Sequence, residues 1–142
     1  MDKDQENLSV FRKVFLILVQ KCGEGKSLMM LGMATMLKGI TLVMVPLIGL
    51  GSDQANKSKM IAKRVYAYHC DEFRGNDLHQ LKLLLRSYHP SKKRSIILFI
   101  SPQQMCPGTP WSRFLFSLGT MGFLSAICVD EAHACVEQSE TF

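Results

Sequence analysis

Five short apolar runs punctuate the chain, at residues 14–19, 40–45, 65–69, 95–100 and 124–129. Four are unbroken (VFLILV, ITLVMV, SIILFI, LSAICV), and unbroken runs of this length suit strands buried on both faces, as in a parallel sheet. The run VYAYH alternates, which suits a sheet edge. Between the runs lie segments of helical character. Residues 27–37 are apolar nearly all round and predict a buried helix whose Met29, Met30, Met33 and Met36 pack on the sheet. Residues 47–63 become polar towards their end. Residues 77–88 set Leu78, Leu81 and Leu85 on one stripe, with Asp77 as N-cap, before Pro90 and a polar run break the helix. Trp111, Phe114 and Phe116 predict a further helix packed on the sheet. Strands alternating with helices indicate βαβ units, hence one α/β domain with a mostly parallel sheet flanked by helices.

The apolar stretch 28–50 is long enough to raise a membrane span, which needs about 20 predominantly apolar residues. Lys38 falls in its middle, where a charge is costly, and Gly and Pro46 interrupt it. A buried helix followed by a buried strand accounts for it, and no membrane is implied. The polar, mixed-charge start MDKDQENLSVFRK is not a secretory signal. The 5 cysteines form no CxxC pair and lie mostly in apolar runs, so they read as buried thiols in a reducing, intracellular compartment. A formal net charge of +5 permits a polyanionic partner without demanding one. The basic stretches Lys57, Lys59, Lys63, Arg64 and Lys92, Lys93, Arg94 read as solvated surface.

Chemistry enters at two places. The first apolar run leads into Gln20-Lys21-Cys22-Gly23-Glu24-Gly25-Lys26-Ser27, and a helix follows. Glycines let a backbone curl so that its N–H groups face phosphate oxygens, and the helix N-terminus adds positive dipole. In such a loop Lys26 reaches the β- and γ-phosphates and Ser27 ligates Mg²⁺. Gln20 stands where the full pattern has Gly. The second place is Cys128-Val129-Asp130-Glu131-Ala132-His133, after the last apolar run. An Asp at the carboxyl end of a core strand sits where α/β sheets bind ligands. Asp130 can hold Mg²⁺, and Glu131 can orient or deprotonate an attacking water. His133 completes a DEAH tetrad.

Phosphate loop followed by DEAH resembles the first RecA-like domain of a superfamily-2 helicase. The segment between them narrows the resemblance. Leu42-Val43-Met44-Val45-Pro46-Leu47-Ile48-Gly49-Leu50, running on to Asp53-Gln54, is similar to the RecQ pattern of an apolar strand, S-P-L-I-S-L and D-Q. Ile97-Leu98-Phe99-Ile100-Ser101-Pro102-Gln103 is similar to that family's strand followed by T-P-E or S-P-E. The arginine-bearing P-R-R segment of DEAH-box RNA helicases is absent.

The resemblance implies a P-loop NTPase fold, ATP and Mg²⁺ as cofactors, and DNA, in single-stranded form, as partner. It implies phosphate and nucleotide contacts at Gly23, Glu24, Gly25, Lys26, Ser27, Asp130 and His133, with Lys26 and Glu131 catalytic. Pro46, Leu47 and Ser101 would lie near the DNA groove, and a eukaryotic member would be nuclear. Residues 1–13 form a polar lead and 14–142 the ATP-binding domain, expected to be cut off after the DEAH box. Departures accompany the match. Gln138 stands where the family's aromatic-rich loop has Trp, and Phe142 matches a later Phe. Only about a dozen residues precede the first run, too few for the family's adenine-reading motif. Without a second domain and its arginine fingers, worth about 10³–10⁵ in rate, hydrolysis is expected to be slow or absent. Two other readings fit the residues: a non-catalytic remnant that binds nucleic acid or a protein, and a P-loop ATPase outside the helicases.

Overall fold

The computed structural model describes residues 25–46, 53, 55–57, 65–88 and 94–130. Helix α1 (Lys26–Met36) leads into β1 (Gly39–Met44). After helical residues 55–57 come β2 (Val65–His69), a 3₁₀ turn (Cys70–Glu72) and α2 (Gly75–Arg86). The chain continues through β3 (Ser95–Ile100), the short α3 (Pro102–Met105), α4 (Pro110–Thr120) and β4 (Leu124–Val129). The strands lie in the order β2-β3-β1-β4, and every pair is parallel. The expected strand at residues 14–19 lies outside the described residues.

The central strands explain the unbroken apolar runs. All six positions of β3 are buried, because successive side chains serve opposite faces and both faces are covered. On one face Ile40, Leu42, Ile96, Leu98 and Ile100 meet Leu81 and Leu85 of α2 and Trp111, Phe114, Leu115 and Leu118 of α4. On the other, Val43, Val45, Ile97 and Phe99 meet Leu31 and Ala34 of α1. The architecture is α/β with a parallel sheet between helices, consistent with a RecA-like fold. No helix among the described residues is long and apolar enough to cross a membrane.

Several local expectations need correction. Helix α1 is not buried all round: Leu28, Met29 and Met36 are exposed, and Leu31 and Ala34 face the sheet. A helix apolar on every side gives its pattern no preferred face, so packing chooses one. The run of β4 is buried only in part, with Ile127 60% and Val129 45% exposed, because α2 and α4 do not reach over them. Helix α2 starts at Gly75 with Arg74 as N-cap, not at Asp77. Asp77 instead sits in the first turn, where its carboxylate complements the helix dipole. Cys70 and Cys128 are buried as expected, but Cys106 is exposed. Trp111 and Phe114 pack on the sheet, while Phe116 is exposed.

Gly39 shows why glycine begins β1. Its φ is 118°, and a Cβ there would meet the Ser125 Oγ at 2.0 Å. That hydroxyl donates to the Lys38 carbonyl, so β4 is drawn close to the start of β1. The register also slips between Ile40 and Thr41, where β4 carries one extra residue.

Candidate functional site at the carboxyl edge of the sheet

Parallel strands end on a common edge, and the register fixes which residues meet there. Met44, Ile100 and Val129 form one row across β3, β1 and β4. The residues just beyond are tied to that row: the Val45 N–H donates to the Ile100 carbonyl at 2.9 Å, and the Asp130 N–H donates to the Met44 carbonyl at 2.9 Å. Pro46, Ser101 and Asp130, distant in sequence, therefore share one edge. Ligands of open α/β sheets bind outside this edge.

Helix α1 points its N-terminus towards the same edge. Its C-terminal end is pinned at the start of β3, because the Ser95 hydroxyl reaches the carbonyls of Thr35 (3.2 Å) and Leu37 (2.8 Å). The other end therefore lies where the strands finish. Gly25 is its N-cap, with φ 84° and ψ 21° in the left-handed region, and no side chain caps the helix. The space a Cβ would occupy at Gly25 is open. A helix N-terminus without a side-chain cap suits an anion. Lys26 and Ser27 open the helix, while their side chains lie outside the described part, as do Gly23, Glu24, Leu47, Glu131 and His133.

A polar network missed by sequence reasoning holds the neighbouring turn. Asp71 lies two residues past the end of β2, in the 3₁₀ turn, and is buried. It accepts the Ser101 N–H at 2.9 Å and the Ser101 hydroxyl at 2.5 Å. Ser101 is thus the N-cap residue of α3, yet its hydroxyl caps nothing and serves Asp71. His69 lies buried beside this pair, with Nε2 3.4 Å from Asp71 and Nδ1 3.3 Å from the carboxylate of Glu72. The Trp111 indole N–H donates to the Cys70 carbonyl at 3.2 Å, tying α4 to the same turn. One signal could have found Asp71: an acid two positions past a strand, close to the argument that singled out Asp130. Among the described residues, no group of three or more His, Cys, Asp or Glu is arranged to hold a metal.

No protein-family pattern matches the chain. Over 116 residues, 82% of its length, it is 34% identical to ATP-dependent DNA helicase Q5 of Rattus norvegicus. The protein of the same name from Mus musculus matches equally, at 34% over 116 residues. The chain is RecQ-like over this segment. The match takes in 11% of the length of each relative. In this RecQ-like sheet, the edge carrying Gly25, Pro46, Ser101 and Asp130 is the candidate site.

Proposed function

We propose that residues 14–142 form the ATP- and nucleic-acid-binding part of a RecQ-like DNA helicase motor. The observation that carries this reading is the convergence of Pro46, Ser101 and Asp130 with the Gly25 end of α1 on one edge of a parallel sheet. In this reading Gly23, Glu24, Gly25 and Lys26 surround the phosphates of ATP. Ser27 and Asp130 hold Mg²⁺, Glu131 orients the attacking water, and His133 senses the nucleotide. Mg²⁺ supplies charge neutralisation at the transferring phosphate. Pro46, Leu47 and the turn at Ser101 line the path of a single DNA strand. Ser101 acts through its backbone turn, since its hydroxyl is committed to Asp71.

The test is a titration of the purified chain with a fluorescent ATP analogue, with and without Mg²⁺, beside Lys26→Ala. The expected result is Mg²⁺-dependent binding that the substitution abolishes. Absence of binding by a chain whose circular dichroism shows it folded would overturn the reading. A second reading draws on Gln138, which stands where the family pattern has a Trp that couples DNA binding to hydrolysis. It makes the chain a binding module without turnover. DNA-stimulated ATP hydrolysis that Glu131→Gln abolishes would exclude it.

A further inference from the structure

Helices α2 and α4 lie over the sheet face opposite α1. Between them opens a pocket of about 320 Å³ lined by Lys82, Arg86, Arg113, Pro110, Phe114 and Ser117. Three of the six are cations and none is an acid. The Lys82 ammonium stands 5.4 Å from the ring centroids of both Trp111 and Phe114 and donates to the Pro110 carbonyl at 3.0 Å. The Arg86 guanidinium lies 5.3 Å from the Phe114 centroid.

Those rings fix where the cations stand without neutralising them, for a ring face offers a quadrupole and not a charge. Among the described residues, no ion pair joins Lys82, Arg86 or Arg113 to a carboxylate. Burial, and then the charges of Arg86 and Arg113, push the Lys82 ammonium below its usual range. Covering aromatic rings with aliphatic stems would account for one or two of these side chains. It does not account for three like charges facing one opening, an arrangement an entering anion would relieve.

We propose that this pocket binds a phosphate group, with Lys82, Arg86 and Arg113 as its contacts. Arginine offers paired N–H donors matched to phosphate oxygens, and lysine a mobile point charge beside them. The pocket, at about 320 Å³, has room for a phosphate group. Its open mouth suits either a sugar–phosphate strand or a small phosphorylated molecule. The site does not depend on the nucleotide reading, because α1 and its N-terminus lie on the other face of the sheet.

The test is residue-resolved NMR of the full 142-residue chain carrying Lys26→Ala, so that the candidate phosphate loop contributes nothing. Inorganic phosphate and a single-stranded oligonucleotide are titrated separately, with polyglutamate as the comparison anion. We expect saturable shifts in the amides of α4 around Arg113 and Ser117. Arg113→Gln, at an exposed position, should weaken them about fivefold and leave the other amides in place. It should also lower the salt slope of oligonucleotide binding by about 1. Lys82→Gln is the second variant and should act in the same direction. Saturation by the oligonucleotide alone would identify a nucleic-acid backbone as the source, and saturation by phosphate alone a small phosphorylated molecule. No saturable local shift with either, or equal binding of polyglutamate, would overturn the proposal.

Discussion

The Asp71 carboxylate accepts both the backbone N–H and the hydroxyl of Ser101, at 2.9 and 2.5 Å, thirty positions along the chain. Both residues are almost wholly buried, at 6% and 1% exposure. The pair ties the end of β2 to the end of β3, and so sets where the turn at Pro102 begins.

Asp71→Ala leaves two buried donors of Ser101 without an acceptor. We expect it to lower unfolding stability by about 2–3 kcal/mol, since an orphaned buried polar group costs roughly 1–3 kcal/mol. Ser101→Ala should cost less, because the backbone N–H keeps its partner. Urea denaturation of the two variants checks the order.

Gly39→Ala introduces a Cβ at a φ of 118° and 2.0 Å from the Ser125 Oγ. The loss should be about 2–4 kcal/mol, combining backbone strain with a contact that must shift. Gly25→Ala, at φ 84° in open space, should cost only about 1–2 kcal/mol. Adding Ser125→Ala to Gly39→Ala should recover part of the loss but not the strain. Thermal unfolding of the three variants measures this.

Trp111 is the chain's 1 tryptophan and is 1% exposed. Its fluorescence should therefore shift to the red in a single transition on unfolding. Trp111→Ala should cost about 3–5 kcal/mol, as removal of a buried aromatic side chain does. Trp111→Phe should cost less, about 1–2 kcal/mol, mainly because the Cys70 carbonyl loses its donor.

Burial pushes the thiol of Cys70 well above its ordinary value of 9.0, with the charge of Asp71 adding to the effect, and burial also raises that of Cys128. The folded state favours the protonated thiols. Their contribution is complete below pH 9 and declines as the pH rises above it, when the unfolded chain ionises first. Denaturation midpoints should fall between pH 8 and 10, less steeply in Cys70→Ala. Peptide-level mass spectrometry after brief alkylation at pH 8 should find Cys106 modified before Cys70 or Cys128.

Much of the candidate site was legible in advance for a physical reason. A parallel sheet brings every strand's carboxyl end to one edge, so motifs that each follow an apolar run must converge once the runs pair. The turn after β1, the turn after β3 and Asp130 follow that rule. Asp71 obeys it too, but its run alternates and no motif drew attention to it. Lys82, Arg86 and Arg113 had no signal, because two lie on one helix and the third on another. Only packing of α2 beside α4 makes them neighbours.

The sequence by itself determined the element types, the parallel α/β class and the strand-end positions of Pro46, Ser101 and Asp130. Unbroken apolar runs, glycine at the head of α1 and residues following strands are local signals, carried by a few adjacent positions. Only the tertiary structure decided which side of α1 faces the sheet and that Ile127 and Val129 stay exposed. It also decided that the Ser101 hydroxyl serves Asp71 and that three cations share one pocket. Each of these depends on the distance between residues far apart in the chain, which hydrophobic burial sets only when the sheet and its helices close on one another.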